Sequence, residues 1–77
     1  MSLTTKQRAI LNYLLLQSKG KSANQISYNT KLNLETVNNE LISLENKDYV
    51  KLEKSPSGRK YIDVTVTSEG FNAFSIK

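Results

Sequence analysis

The chain of 77 residues contains no cysteine, no histidine and no tryptophan, a single proline and only three glycines. Without cysteine there is no disulfide framework, which fits a reducing compartment. Lacking histidine as well, it has neither the ligands of a structural zinc site nor an imidazole for acid–base catalysis. Gly20, Gly58 and Gly70 stand far apart, so no glycine-rich phosphate loop can form. No apolar run approaches the roughly 20 residues needed to cross a bilayer, and nothing resembles a signal peptide. Serine and threonine are plentiful, yet no base is placed to activate one. These absences predict a cytoplasmic, non-enzymatic protein with no cofactor, no metal and no membrane partner. The length predicts one domain over residues 1–77, close to the size at which a single core just suffices.

Charge is present but unevenly spread. The net value is +4, and its placement says more than its size. Residues 1–33 carry Lys6, Arg8, Lys19, Lys21 and Lys31 with no acidic residue, whereas residues 34–46 carry Glu35, Glu40 and Glu45 with no basic one. Basic residues return at Lys47, Lys51, Lys54, Arg59 and Lys60, set against Asp48 and Glu53. Positive charge therefore surrounds one acidic segment.

That segment lies inside the stretch that organises the chain, Gln25 to Val50. Val37, Leu41 and Leu44 recur at i, i+4 and i+7, one stripe of a helix. Ile26 belongs to a shorter helix before it, and Leu32 lies in the break between them. Ser22 with Gln25 has the spacing of a capping box, and Asn33 suits the cap of the second helix. Two helices, a three-residue break and a shared apolar wedge predict a helix-turn-helix over about 23–47.

The flanks are simpler. Thr4 or Thr5 caps a first helix, Gln7 following Thr4 at capping-box spacing, and Gly20 is expected to terminate it. Its body is apolar nearly all round, with Ile10, Leu11, Leu14 and Leu15 on one stripe and Ala9, Tyr13 and Leu16 on another. A helix on one core needs only the first stripe. The second is open to two readings, cover by the C-terminal segment or a dimer interface formed by Tyr13 and Leu16. Residues 49–54 and 59–66 alternate as strands around the turn Ser55-Pro56-Ser57-Gly58, with Val50 and Leu52, then Ile62, Val64 and Val66, expected inward. Thr67 or Ser68 caps a last short helix whose Phe71 and Phe74 are expected to close the core, and Gly70 permits close packing within it.

In their order, these motifs resemble the winged helix-turn-helix regulators, especially the MarR-like branch. Ile26-Ser27 sits where that family often has Ile-Ala, and Leu32-Asn33 where it has Ile-Ser. Thr36-Val37 matches its Thr-Val. Leu41-x-x-Leu44-Glu45 with Tyr49-Val50 matches its Leu-x-x-Leu-Glu and Gly-Tyr-Val ending, and Val66-Thr67-Ser68-Glu69-Gly70 looks like its Leu-Thr-x-x-Gly. The sequence departs from the pattern where Lys31 and Asp48 replace the usual glycines, and the long C-terminal dimer helices of MarR proteins have no counterpart. The resemblance implies an α+β, mainly α fold: a three-helix core, a β-hairpin wing over about 49–66 and a short C-terminal helix. It also implies a short strand near Gly20 pairing with the wing, and a DNA-binding transcription regulator acting as a dimer.

The residues themselves offer chemistry for double-stranded DNA as a partner. An Asn amide can accept from N6 and donate to N7 of one adenine, and Asn38 and Asn39 stand opposite the apolar stripe beside Glu35 and Ile42. Lys31, Thr36 and the wing cations Lys54, Arg59 and Lys60 complete the candidate set, the last three suiting phosphate contact or minor-groove insertion. Those cations also suit a hairpin edge protected against aggregation, but three of them flanking one turn favour the phosphate reading. Tyr28 has a hydroxyl for phosphate, although its expected role is a partly buried packing residue. Glu35 and Glu40 oppose phosphate approach. They keep a second reading open, a winged-helix module that binds a protein through Leu34, Ile42 and the acidic face. Winged domains that bind Z-DNA share an Asn at the position of Asn38, but their Tyr one turn later is Ile42 here, and the chain has no Trp.

Overall fold

Each helix begins where an oxygen-bearing side chain can accept from the unpaired amides of a first turn. The computed structural model describes residues 3–17, 19–58 and 61–75. Helix α1 spans Thr5–Leu15, α2 Ala23–Thr30 and α3 Leu34–Asn46; strands β1, Val50–Lys54, and β2, Tyr61–Val66, follow, and α4, Ser68–Ser75, ends the fold. Thr4 with Gln7 and Ser22 with Gln25 both form complete capping boxes. Asn33 Oδ1 accepts from the Thr36 amide at 2.7 Å, and Thr67 Oγ1 accepts from the Gly70 amide at 3.0 Å.

Two helices end on left-handed residues that are not glycine. Lys31 has φ 63° and its amide donates to the Ser27 carbonyl, closing α2. Asp48 has φ 61°. Its amide donates to Glu45 O, and the next amide, that of Tyr49, reaches back to Leu44 O, both at 2.9 Å. That pair of bonds is a Schellman ending to α3. The positions where the sequence pattern lacks its glycines thus keep the backbone shape a glycine would favour. Helix α1 does not run to Gly20 as expected: it stops at Leu15, capped by Leu16. Gly20 has another role, since its missing side chain leaves room for the Asp63 carboxylate.

The core is built from Ile10, Leu11 and Leu14 of α1, Ala23 and Ile26 of α2, Val37, Leu41 and Leu44 of α3, and Val50 and Val64 of the hairpin, joined by Leu3. Each large side chain taken fully out of water contributes about 1.5–3 kcal/mol. Gln7 is buried among them but satisfied: its Oε1 accepts from the Thr4 amide at 3.1 Å, and its Nε2 donates to Ser43 Oγ at 3.3 Å, tying α1 to α3.

The strands pair antiparallel from Val50↔Val66 to Glu53↔Asp63 and then slip, so that Lys54 faces Tyr61. Ile62 is the extra residue of this bulge. It is exposed, against the expectation that it faces inward, because the bulge breaks the alternation and Tyr61 packs on the core instead. Lys21 pairs with Val64 through two backbone bonds of 3.2 and 2.8 Å, the short third strand that the resemblance implied. Helix α4 packs through Gly70, where a Cβ would collide with the Tyr49 carbonyl oxygen. Phe74 joins the core and lies under the Arg8 guanidinium, 5.7 Å from the ring centre. Phe71 is 54% exposed and does not close the core as expected.

Candidate nucleic-acid interface

The helix-turn-helix is held by its break. Lys31, Leu32 and Asn33 separate α2 from α3, and Ser27 Oγ donates to the Leu32 carbonyl at 2.6 Å, tying the break to α2. Leu32 packs on the core. With Val37, Leu41 and Leu44 fully buried, the opposite side of α3 is fixed by helical phase at about 100° per residue. Glu35, Asn39, Ile42 and Asn46 fall there, and all four are exposed. Thr36 and Asn38 lie on opposite flanks and are half-buried.

Asn38 therefore differs from its neighbour. Its Oδ1 is enclosed and has no hydrogen-bond partner, whereas Asn39 is exposed. The sequence put both on the outward face; the structure leaves only Asn39 there, because Asn38 is one residue from Val37 and turns toward the packed flank. Leu34 and Ile42 are exposed at 39% and 43%, as expected.

Lys31 is exposed in the turn, and Lys54 is exposed at the end of β1 with its Nζ 6.0 Å from the centre of the Tyr61 ring. Arg59 and Lys60 lie outside the described residues. Tyr28, expected to be partly buried, is 84% exposed on α2. The signal was available: Tyr28 is two residues from Ile26, about 200° round the helix from the core. On α1, Leu16 is 76% exposed. Tyr13 packs against the core, and its hydroxyl accepts from Asn29 Nδ2 at 3.1 Å. Only Leu16 of the proposed pair is therefore fully at the surface.

Among the described residues, no group of three or more acidic side chains is gathered as a metal site would need. No helix among them is long and apolar enough to cross a membrane. A groove of about 280 Å³ between the end of α1 and β2 is lined by Leu14, Gln17, Lys19 and Val64 among others.

No protein-family model matches the chain, and no curated protein matches it in sequence. Solved structures do match it. The PcaV transcriptional regulator from Streptomyces coelicolor, in complex with its natural ligand, superposes with a TM-score of 0.81 at 22% identity over 95% of this chain and 51% of its own. BpsR of Bordetella bronchiseptica, whose DNA binding is regulated by 6-hydroxynicotinic acid, gives 0.82 at 24% over 95% and 55%. MepR of S. aureus, solved in complex with DNA, gives 0.78 at 26% over 94% and 59%. The chain thus spans about half the length of the regulators it matches. Element order, hairpin and matched structures agree: the chain has a winged helix-turn-helix fold, similar to that of the MarR-family regulators.

Proposed function

We propose that the protein is a DNA-binding transcription regulator that sets α3 in the major groove and the basic hairpin on the phosphate backbone. The observation carrying this is the placement of α3. Its apolar stripe is fully buried and its polar stripe fully presented, beside a turn and a hairpin that bear Lys31 and Lys54. The likeness to MepR, solved with DNA, supports the same use of the fold. In a helix-turn-helix the first helix crosses the backbone, and exposed Tyr28 on α2 supplies a hydroxyl for a phosphate oxygen. Leu16, exposed at the end of α1, is the surface on which a second copy would pair, bringing two motifs to half-sites roughly 34–36 Å apart. The compartment that suits this work is the cytoplasm.

One observation favours a second reading, a protein-binding module. The outward stripe of α3 has no cation and includes Glu35 and exposed Ile42. A titration with mixed-sequence duplex over a range of salt separates the two. A regulator binds every duplex at low salt. Neutralising Arg59 and Lys60 together makes its log–log salt dependence shallower by about 0.9 for each phosphate that the variant no longer neutralises. A protein module binds none, and a chain that fails on all duplexes at low salt is not a DNA regulator.

A further inference from the structure

The same stripe of α3 has a composition that selects among base pairs. Read outward it offers an acceptor-only carboxylate at Glu35, an amide at Asn39, an apolar side chain at Ile42 and a second amide at Asn46. Helix α3 contains no Lys or Arg at all. In the major groove guanine shows two acceptors, O6 and N7, and the side chains that hold both are Arg and Lys. Adenine shows a donor at N6 beside the N7 acceptor, which a single amide satisfies with one oxygen and one N–H. Thymine adds a methyl group that only apolar surface rewards.

We propose, resting on the DNA-binding reading above, that α3 is a reader of A·T base pairs, with Asn39 holding one adenine by both amide atoms and Ile42 packed on a neighbouring thymine methyl. Asn39 and Ile42 are three residues apart, so their side chains are neighbours on the helix surface. Glu35 sits one turn earlier on the same stripe. Its carboxylate accepts from an exposed amino group, N6 of adenine or N4 of cytosine, and repels the acceptor edge of guanine. Its negative charge thus filters against G on the strand it faces, while A·T selectivity rests on Asn39 and Ile42. Asn38 does not share the role. With Oδ1 enclosed, it cannot present both amide atoms to a base edge. Adjacent asparagines are divided by burial into one reader and one flank residue.

The experiment is selection from a pool of randomised duplexes with the wild-type chain, followed by atom-level substitution of the selected site. Expected is A·T enrichment at the base pairs facing Asn39 and Ile42. Replacing the contacted adenine by 7-deazaadenine removes only the N7 acceptor and weakens wild-type binding, and Asn39→Ala weakens binding to the selected site by about 5- to 150-fold. The two effects do not add: Asn39→Ala is indifferent to 7-deazaadenine, while Asn38→Ala remains as sensitive as wild type. Uracil for thymine, which removes the methyl, weakens wild type and leaves Ile42→Ala unchanged. Thermal melts of the variants keep a folding defect from passing as a weakened base contact. Selection of G·C pairs beneath Asn39 and Ile42, or a 7-deazaadenine effect abolished by Asn38→Ala and kept in Asn39→Ala, overturns the assignment while leaving DNA binding intact. Failure to retain any duplex at low salt removes the regulator reading, and this inference with it.

Discussion

Lys31 sits at φ 63° and ψ 21°, a left-handed conformation that crowds the Cβ of an L-residue against the following carbonyl. Replacing it by glycine removes that crowding. Left-handed backbone costs an L-residue roughly 1–2 kcal/mol. Against this, glycine gives the unfolded chain extra freedom, worth about 0.4–1 kcal/mol. The substitution also removes a cation from the C-terminal end of α2, where it interacts with the helix dipole by about 0.3–1 kcal/mol. Lys31→Ala isolates the backbone contribution, because it loses the same charge and keeps the Cβ. The glycine variant is therefore expected to exceed the alanine variant by roughly 0.5–1 kcal/mol. For a domain of this size that difference is about 2–8 °C in Tm, read by circular dichroism in parallel melts. Asp48→Gly gains less, since Asp tolerates the left-handed region by bonding locally. A glycine variant that melts with, or below, the alanine variant would refute the strain argument. It would mean that the break between α2 and α3 relaxes around whatever residue occupies it.

Leu41 is fully buried at the meeting of α3 with the core, so Leu41→Ala is expected to cost about 2–5 kcal/mol. Ile42→Ala, one residue on and facing out, should stay within roughly 0.5 kcal/mol, and equal denaturation midpoints would show the helical phase to be wrong. Gly70→Ala places a methyl against the Tyr49 carbonyl and is expected to cost about 1–3 kcal/mol or more, because backbone must move rather than a side-chain tip; an unchanged melt would show that α4 does not pack this closely. Leu16→Glu should leave the melt of a monomer unchanged and lower the sedimentation coefficient if copies pair through α1. A wild-type chain that is monomeric at high micromolar concentration, with no response to the variant, removes that interface.

What was legible in the sequence was set by local chemistry. The caps at Thr4, Ser22 and Asn33 need only one side chain and the next three residues, and they formed as read. The stripe of Val37, Leu41 and Leu44 is likewise local, since helical phase needs no partner to define it. The misplacements share a different cause. Ile62 was put inward by strict alternation, but a bulge inserts a residue without leaving a mark on the pattern, and only the pairing of Glu53 with Asp63 and Lys54 with Tyr61 reveals it. In α4 the inward phase is set by Gly70, a residue with no side chain to announce burial. Phe74, four residues on, shares that phase; Phe71 is about 100° away and stays outside. Gly20 was read as a helix stop because glycine often is one, whereas its position is explained by the Asp63 carboxylate, distant in sequence. For the interface, the types of residue were legible. Helical phase from Val37 already separates the two asparagines, Asn38 about 100° round on the flank and Asn39 about 200° round on the outward face. The enclosure of Asn38 Oδ1 is what only the packed structure adds.

The distribution of charge leads to one more physical consequence. In a protein that binds DNA through Lys and Arg on the reading helix, the same side chains supply affinity and specificity, and both weaken together as salt rises. Here the cations lie in the turn, in the hairpin, on α1 and in the link that follows it, while α3 carries Glu35, Glu40 and Glu45. Under the proposed function, affinity for any duplex comes from surfaces that cannot tell bases apart, and discrimination comes from a helix that phosphates repel. Salt then lowers binding to preferred and unrelated duplexes by nearly the same factor, because the discriminating side chains release few counterions. The ratio between the two affinities stays nearly flat across salt while each falls steeply. Removing Glu35 should raise affinity for all DNA and erode that ratio, for it takes away a repulsion and a filter in one step.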